Sequence, residues 1–237
     1  MDTSELLPVF DRRVAEYRLQ WLRCRQSPDE EAVHDLRVAI RRLLALVDLL
    51  RSRAFGLRAG KLRRSLKRQL AGLSELRDNQ VMQARVQSLL PQWPAGMPLL
   101  LALREQERRL LRQARETLAG DDARRLRKQL GKLRRRLAGW AGNCRDALGM
   151  AMTEAHHALL QRRCMLPAGP VDEALLDGLH RERIAWKRLR YAAEILRELD
   201  PTSMPQATLD HLRAQQSLLG AIQDARVFIA ALQAARV

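Results

Sequence analysis

The sequence predicts an all-α protein built from two similar antiparallel helical bundles. Nearly every segment carries apolar residues at helical spacing, and almost none alternates with the period of two that strands require. The chain also repeats one pattern at a fixed offset of 146 residues, which begins at His34 and again at His180. Because an internal repeat constrains the architecture, we expect two four-helix-type bundles, residues 1–119 and 120–237, related by a pseudo-two-fold axis within a single domain.

The helices are expected to break where glycine, proline and aspartate cluster. These clusters lie at 27–29, 91–98, 120–122, 167–170 and 201–205. Between them the apolar periodicity predicts helices over residues 4–25, 30–53, 57–75, 78–90, 97–119, 122–140, 144–163, 172–198, 205–220 and 223–236. Four or five helices in each half suit antiparallel packing with short loops.

The chain is strongly basic. Its 43 Lys and Arg residues exceed its 27 Asp and Glu residues, which leaves a net charge of +16 over 237 residues. Such a charge predicts a polyanionic partner: nucleic acid, a phosphate polymer or an anionic surface. Only five of the basic residues are lysines. Arginine's planar fork binds phosphate oxygens in pairs, although a GC-rich genome would also enrich arginine.

The sequence predicts a cytoplasmic protein without membrane segments. Cys24, Cys144 and Cys164 are far apart and odd in number, which is typical of a reducing compartment. The first residues are acidic where a secretory signal would be basic, and no apolar run approaches the roughly 20 residues of a membrane span.

Basic residues form a stripe beside the apolar face of the two helices that carry the repeat. At about 100° per residue, His34, Arg37 and Arg41 fall within a narrow arc next to the core-facing positions. The second copy repeats this arc with His180, Arg183 and Lys187. Further basic rows are Lys61, Arg64 and Arg68; Arg104, Arg108, Arg112 and Arg115; and Arg124, Lys128 and Arg135.

A charged stripe by itself is typical of any soluble helix. Here acidic residues at i+4 are scarce, and uncompensated like charges on one face favour an external anion. The chain has only nine aromatic residues, most of them at core spacing, and lacks the stacking platforms of single-strand binders. It also lacks zinc-finger, RNP-like and clear helix-turn-helix signatures. A ligand made of phosphate without bases therefore suits the pattern better than nucleic acid.

Three roles are open for His34 and His180: donation to phosphate, a structural hydrogen bond, or metal ligation. Neighbouring cations lower a histidine pKa, which favours the neutral donor and disfavours a metal. Asp78 and Asp224 recur at predicted helix junctions, where they would cap the next helix, orient an arginine or hold a divalent ion. Glu182 stands where the first copy has a leucine, which predicts a more open helix start or a carboxylate that orients an arginine.

The sequence contains no motif for an enzyme. Neither a nucleophile with its base, a P-loop nor an acidic two-metal cluster is present. The residues predict no catalytic site, no metal site and no cofactor.

These segments resemble the CHAD family, the conserved histidine α-helical domain. The resemblance rests on the run from His34 to Leu43, its second copy from Leu179 to Tyr191, and the paired segments Leu76-Arg77-Asp78 and Leu219 to Asp224. It implies a duplicated helical-bundle fold whose basic groove binds inorganic polyphosphate, often in proteins associated with polyphosphate granules. It also implies a link to triphosphate-processing CYTH domains, and we expect any such enzyme to be a separate partner.

The resemblance assigns polyphosphate-binding roles to ten residues of this chain. They are His34, Arg37, Arg41, Arg42, Lys67, His180, Arg183, Lys187, Arg188 and Arg213. The basic rows add Arg64, Arg108 and Arg112. The alternatives are a general nucleic-acid-binding protein, an accessory subunit of a polyphosphate or triphosphate enzyme, and a helical scaffold whose charge maintains solubility.

Overall fold

The computed structural model describes residues 6–51, 56–119, 121–140, 144–167 and 169–234. Within these ranges the chain is helical and forms no strand, so the all-α prediction is confirmed. The α-helices are α1 (Leu6–Gln26), α2 (Glu30–Leu50), α3 (Gly56–Gly72), α4 (Ser74–Leu89), α5 (Met97–Ala119), α6 (Asp121–Ala138), α7 (Cys144–Cys164), α8 (Glu173–Leu199) and α9 (Gln206–Ala234). The duplication and the pseudo-two-fold axis stay predictions.

Most helix ends lie within a few residues of the predicted ones, but the last two predicted helices are wrong. Residues 205–220 and 223–236 belong to the single helix α9, which continues through Gly220. One glycine inside an otherwise apolar helical pattern costs only about 1 kcal/mol relative to alanine, so it does not by itself end a helix.

The chain divides into two compact units. Phe10–Trp140 form one unit, and Ala141–Val237 together with Met1–Val9 form the other. The boundary predicted at residue 120 separates two stretches of similar sequence, whereas the compact units are defined by packing. That boundary therefore stays a prediction.

In the unit formed by Phe10–Trp140, α3 is the central helix, since it packs against α2, α4, α5 and α6. Leu62 and Leu66 of α3 are fully buried, as are Leu36, Ile40 and Leu43 of α2. Each buried leucine or isoleucine contributes roughly 1.5–3 kcal/mol by leaving water. This apolar face fixes the rotation of α2 and thereby the side on which its basic residues lie.

The connection between α4 and α5 contains one turn of 3-10 helix, Pro94–Gly96. The Trp93 ring lies against Gly96 so closely that a Cβ on that residue would meet Trp93 Cε3 at 2.5 Å. Glycine is therefore required here for close approach of the ring.

In the other unit, α8 packs against both α7 and α9. Its core contains Trp186 and Leu189 of α8, Leu159 of α7, and Leu212 and Leu219 of α9. Across the described ranges, no helix combines the length and the apolar character needed to cross a membrane.

Candidate functional site

The basic residues of α2 lie near the beginning of the helix. Asp29 caps α2 by accepting a hydrogen bond from the Ala32 backbone N–H at 2.8 Å. This cap fixes the first turn, and His34 follows in the second turn. His34 is exposed, Arg41 is half-buried and Arg37 is buried. The basic arc predicted from periodicity therefore includes one exposed, one buried and one half-buried side chain.

Arg37 joins α2 to the junction of α3 and α4. Its Nη1 donates to Ser74 Oγ at 2.8 Å and to the Leu70 carbonyl oxygen at 3.4 Å. Ser74 Oγ in turn donates to the same carbonyl at 2.9 Å. Arg37 is only 7% exposed, and its Nε is buried without a hydrogen-bond partner. The side chain thus has a structural role that its place in the basic arc did not reveal.

Arg77 of α4 adds a third cation to this region, which we call the α2 edge (His34, Arg37, Arg41 and Arg77). Partial desolvation and then the charge of Arg77 lower the pKa of His34 below 6.5, with smaller effects of Arg41 and Arg37 in the same direction. Burial first, and then Arg41, lower the pKa of Arg37 to about 10. The neutral form of His34 is favoured, and its ring N–H remains a donor.

Carboxylates compensate part of this charge. Arg77 Nη1 lies 2.8 Å from Glu30 Oε1, an ion pair whose acid is more than half exposed. Asp78 raises the pKa of Arg37, whereas burial lowers it. Sequence reasoning did not assign Arg77 to the site, although it stands immediately before the recurring aspartate. Its position opposite α2 depends on helix packing, which the motif alone does not show.

The equivalent residues of α8 form the α8 edge (His180, Arg183, Lys187 and Arg188). His180 Nδ1 and Gln223 Oε1 of α9 are 3.1 Å apart, a hydrogen bond in which the ring is the donor. A Cβ at Gly220 would lie 3.5 Å from Arg183 Nη2, so the guanidinium passes over this glycine. Arg183 and Lys187 are half-buried, and Arg188 is exposed.

The residues that contact the α2 edge and those that contact the α8 edge are related by the same offset of 146 residues. Arg77 and Gln223, which act on the two histidines, are 146 residues apart, as are Ser74 and Gly220, which meet the two arginines. Each edge therefore pairs the same helix positions within its own unit, although the residues at those positions differ.

Three of the predicted binding residues have carboxylate partners. Arg42 pairs with Glu16 of α1 at 2.7 Å, and Arg108 pairs with Glu105 one turn earlier at 3.0 Å. Arg213 lies 2.9 Å from Asp210, which occupies the position equivalent to Arg64. The expectation of uncompensated rows is therefore wrong at Arg108, and Arg42 and Arg213, which lie outside those rows, also have acidic partners. Because exposed ion pairs, such as those of Arg108 and Arg213, contribute only about 0–1 kcal/mol, a stronger anion can still displace their acids.

The remaining predicted residues are exposed. Arg64 and Lys67 lie on α3, and Arg112 lies on α5. The Arg64 guanidinium extends back along its own helix, since a Cβ at Gly60 would lie 4.0 Å from Arg64 Nη1. Within the described ranges, none of these three side chains forms a hydrogen bond or ion pair with the α2 edge.

Asp78 and Asp224 lie inside α4 and α9, so the prediction that they cap a helix is wrong, because α4 begins earlier than predicted and α9 is continuous. Their other predicted roles, orienting an arginine or holding a divalent ion, stay predictions. Both predictions for Glu182 are wrong. Glu182 is 6% exposed and accepts a hydrogen bond from Trp186 Nε1 at 3.1 Å. Its surroundings are closed and not open, and this hydrogen bond orients an indole instead of an arginine.

Both edges present hydrogen-bond donors, and the described residues contain no group of three or more His, Cys, Asp and Glu side chains arranged for a metal ion. Guanidinium and ammonium groups neutralise phosphate oxygens, and a neutral imidazole donates to them. The chemistry of both edges therefore suits a polyanion.

Comparison with protein families matches residues 9–233 to the family model described as the CHAD domain. Solved structures that match include the crystal structure of the CHAD domain from the plant Ricinus communis, with 23% sequence identity and a TM-score of 0.78. That match covers 95% of this chain and 75% of the plant chain, and it shows a shared fold. Comparison with curated proteins gives no match.

Proposed function

The chain belongs to the CHAD domain family, and we propose that it binds inorganic polyphosphate through the α2 edge and the α8 edge. The observation that carries the proposal is the grouping of Arg37, Arg41 and Arg77 around His34 at the α2 edge, where desolvation and then these charges lower the pKa of His34. Mutual repulsion among these groups costs free energy until an anion offsets it. A chain of phosphates supplies one negative charge after another along the edge.

A phosphate polymer accounts for the binding residues better than nucleic acid does. The two edges consist of cations and imidazoles, and the aromatic residue that follows the α8 edge, Tyr191, lies beneath the Arg190 guanidinium at 4.4 Å. The guanidinium already occupies one face of this ring, which reduces what the ring can offer to a base. Recognition therefore depends on charge and donor geometry.

Competition binding tests the proposal. Labelled long-chain polyphosphate is bound to the protein and challenged with DNA and RNA of matched charge, ATP and pyrophosphate. We expect polyphosphate to remain bound and its affinity to fall linearly with the logarithm of salt concentration, because binding releases counterions. Equal or tighter binding of DNA or RNA would contradict the proposal.

A charge reversal at Arg41 locates the site. Arg41→Glu removes one cation and adds one anion at the α2 edge, so we expect polyphosphate affinity to fall by about tenfold or more. Arg18→Glu is the matched control, since Arg18 is an exposed arginine of α1 outside both edges. Equal losses in both variants would mean that only net charge matters. Arg37 is unsuitable for this test because its removal would also disturb Ser74 and the α3–α4 junction.

We further propose that the protein binds polyphosphate without hydrolysing or transferring it. Incubation with polyphosphate should release no inorganic phosphate. Release that disappears in Asp78→Asn or Asp224→Asn would show an enzymatic role instead. A separate CYTH-type or other polyphosphate-metabolising enzyme remains a proposed partner, and localisation to polyphosphate granules is testable with a fluorescent fusion in cells with and without polyphosphate.

A further inference from the structure

A basic cleft of about 760 Å³ opens between α3 and α6 and shares no residue with either edge. Lys61 of α3 lines it from one helix. The other described lining residues all belong to α6, and they are Arg125, Lys128, Gln129, Lys132, Arg135 and Arg136. Six of these seven described residues are cationic and none is acidic.

The cleft arises from the way α6 is anchored. Its apolar stripe, with Leu126, Leu130, Leu133 and Leu137 buried, packs into the unit. On one side of the stripe, Arg134 forms a two-point ion pair with Asp11 of α1, with both N–O distances at 2.8 Å. These two contacts fix the rotation of α6 about its axis. The remaining arc of the helix, which carries the cleft residues, is thereby held next to α3.

The cleft residues form a line along α6 instead of a ring. Arg125, Lys128, Lys132 and Arg136 recur every three or four residues, so they share one face of the helix. At 1.5 Å per residue, the row extends over roughly 16 Å. One isolated phosphate would meet only part of such a row, whereas a linear anion with several phosphates would meet all of it.

The volume of the cleft and its lining residues indicate the size and the chemical class of the ligand. The cleft lies within the roughly 300–1,000 Å³ range of pockets for small molecules, so it suits a short anion and not a folded polymer. The described lining residues include no aromatic side chain that would stack on a base. We propose that this cleft is a second, independent binding site for a short linear oligophosphate, with tripolyphosphate as the probe.

Calorimetric titration with tripolyphosphate tests the site on the full chain. Lys128→Glu combined with Lys132→Glu should weaken tripolyphosphate binding by about tenfold or more, because two adjacent phosphate contacts become repulsive. The matched control combines Arg18→Glu and Arg163→Glu, which change net charge equally at exposed arginines away from the cleft. We expect the control to keep tripolyphosphate affinity within about twofold.

Backbone amide chemical shifts give an independent location. Tripolyphosphate should shift signals from residues 125–136 and from Lys61 in the wild-type protein. Circular dichroism checks the helicity of the double variant, and Lys132→Gln replaces it if helicity is lost. Unchanged tripolyphosphate affinity in the cleft variant, an equal loss in the control, or shifts confined to α2 and α4 would overturn the inference.

Two further comparisons separate this inference from the proposed function. ATP should bind no more tightly than tripolyphosphate, and much tighter ATP binding would show that the cleft recognises a base. If long-chain polyphosphate fails to bind while tripolyphosphate binding still depends on Lys128 and Lys132, the proposed function fails and the cleft site stands. If long chains bind through the edges but the cleft variant binds tripolyphosphate normally, the inference fails alone.

Discussion

The α2 edge and the α8 edge carry the same residue types at equivalent positions, yet their histidines meet different groups. His34 lies in the field of Arg77, whereas His180 is held by the neutral amide of Gln223. Likewise Arg37 is fixed by the hydroxyl of Ser74, whereas Arg183 passes over Gly220, which has no side chain. The helices opposite them, α4 and α9, thus give similar motifs different electrostatic surroundings.

Two copies of one sequence motif therefore need not have equal roles. The α2 edge concentrates positive charge, which Glu30 and Asp78 offset only in part. The α8 edge is stabilised within the protein by an amide hydrogen bond. If both edges bind polyphosphate, we expect the α2 edge to supply more of the salt dependence.

The largest expected effect concerns the buried position that differs most between the copies, Leu36 in α2 and Glu182 in α8. Leu36→Glu places a carboxylate at a fully buried site where the equivalent of Trp186 is Ile40, which offers no donor. We expect the free energy of unfolding to fall by about 4 kcal/mol or more. The converse change, Glu182→Leu, should cost only about 1–2 kcal/mol, the value of leaving the indole N–H unsatisfied. Urea unfolding of both variants measures this asymmetry, and equal losses would contradict it.

The next effect separates the buried Arg37 from the half-buried Arg41 of the α2 edge. Arg37→Ala removes the hydrogen bonds to Ser74 and Leu70 and leaves a cavity, so stability should fall by about 2–3 kcal/mol. Arg41→Ala should cost less than about 1 kcal/mol, because Arg41 is half-buried beside solvent. Thermal unfolding followed by circular dichroism distinguishes them. Similar small losses would show that Arg37 is not a structural residue.

A smaller effect concerns Ser74 and Gly220, the equivalent residues opposite the two arginines. Ser74→Gly removes the hydroxyl that accepts from Arg37, and we expect a loss of about 1 kcal/mol. Gly220→Ser should stabilise the protein by about 0.5 kcal/mol, because serine favours a helix more than glycine does. A Cβ there meets Arg183 at an ordinary contact distance. Destabilisation by Gly220→Ser in urea unfolding would show that the α8 edge requires the glycine.

The smallest effect is a change in pH dependence. The pKa of His34 is lowered by partial desolvation and by Arg77, so the folded protein holds this proton less tightly than the unfolded chain. Its contribution to stability is complete above pH 6.5 and decreases as pH falls from there towards the lowered pKa. Arg77→Gln, which copies the residue at Gln223, should raise the pKa of His34 and reduce this dependence. NMR titration of the His34 ring measures the shift, and an unchanged pKa would remove Arg77 as a cause.

Much of this architecture follows from local sequence patterns. The helices before α9 and the basic arc of α2 could be predicted because both depend on residues within a few turns of one another. The two-helix prediction over 205–236 failed because Gly220 resembles a break, whereas packing keeps the helix continuous. The aspartate cap prediction failed for the related reason that helix ends are the least certain part of such a pattern.

The all-α class, the strongly basic character and the similar basic arcs that begin at His34 and His180 follow from the order of residues alone. The effect of Arg77 on His34, the burial of Arg37 and the basic cleft between α3 and α6 become visible only when the helices are packed together. These two groups of features depend on interactions of different range along the chain. Helical periodicity is set by neighbours along the chain, whereas burial, pKa shifts and clefts depend on side chains brought together from different helices.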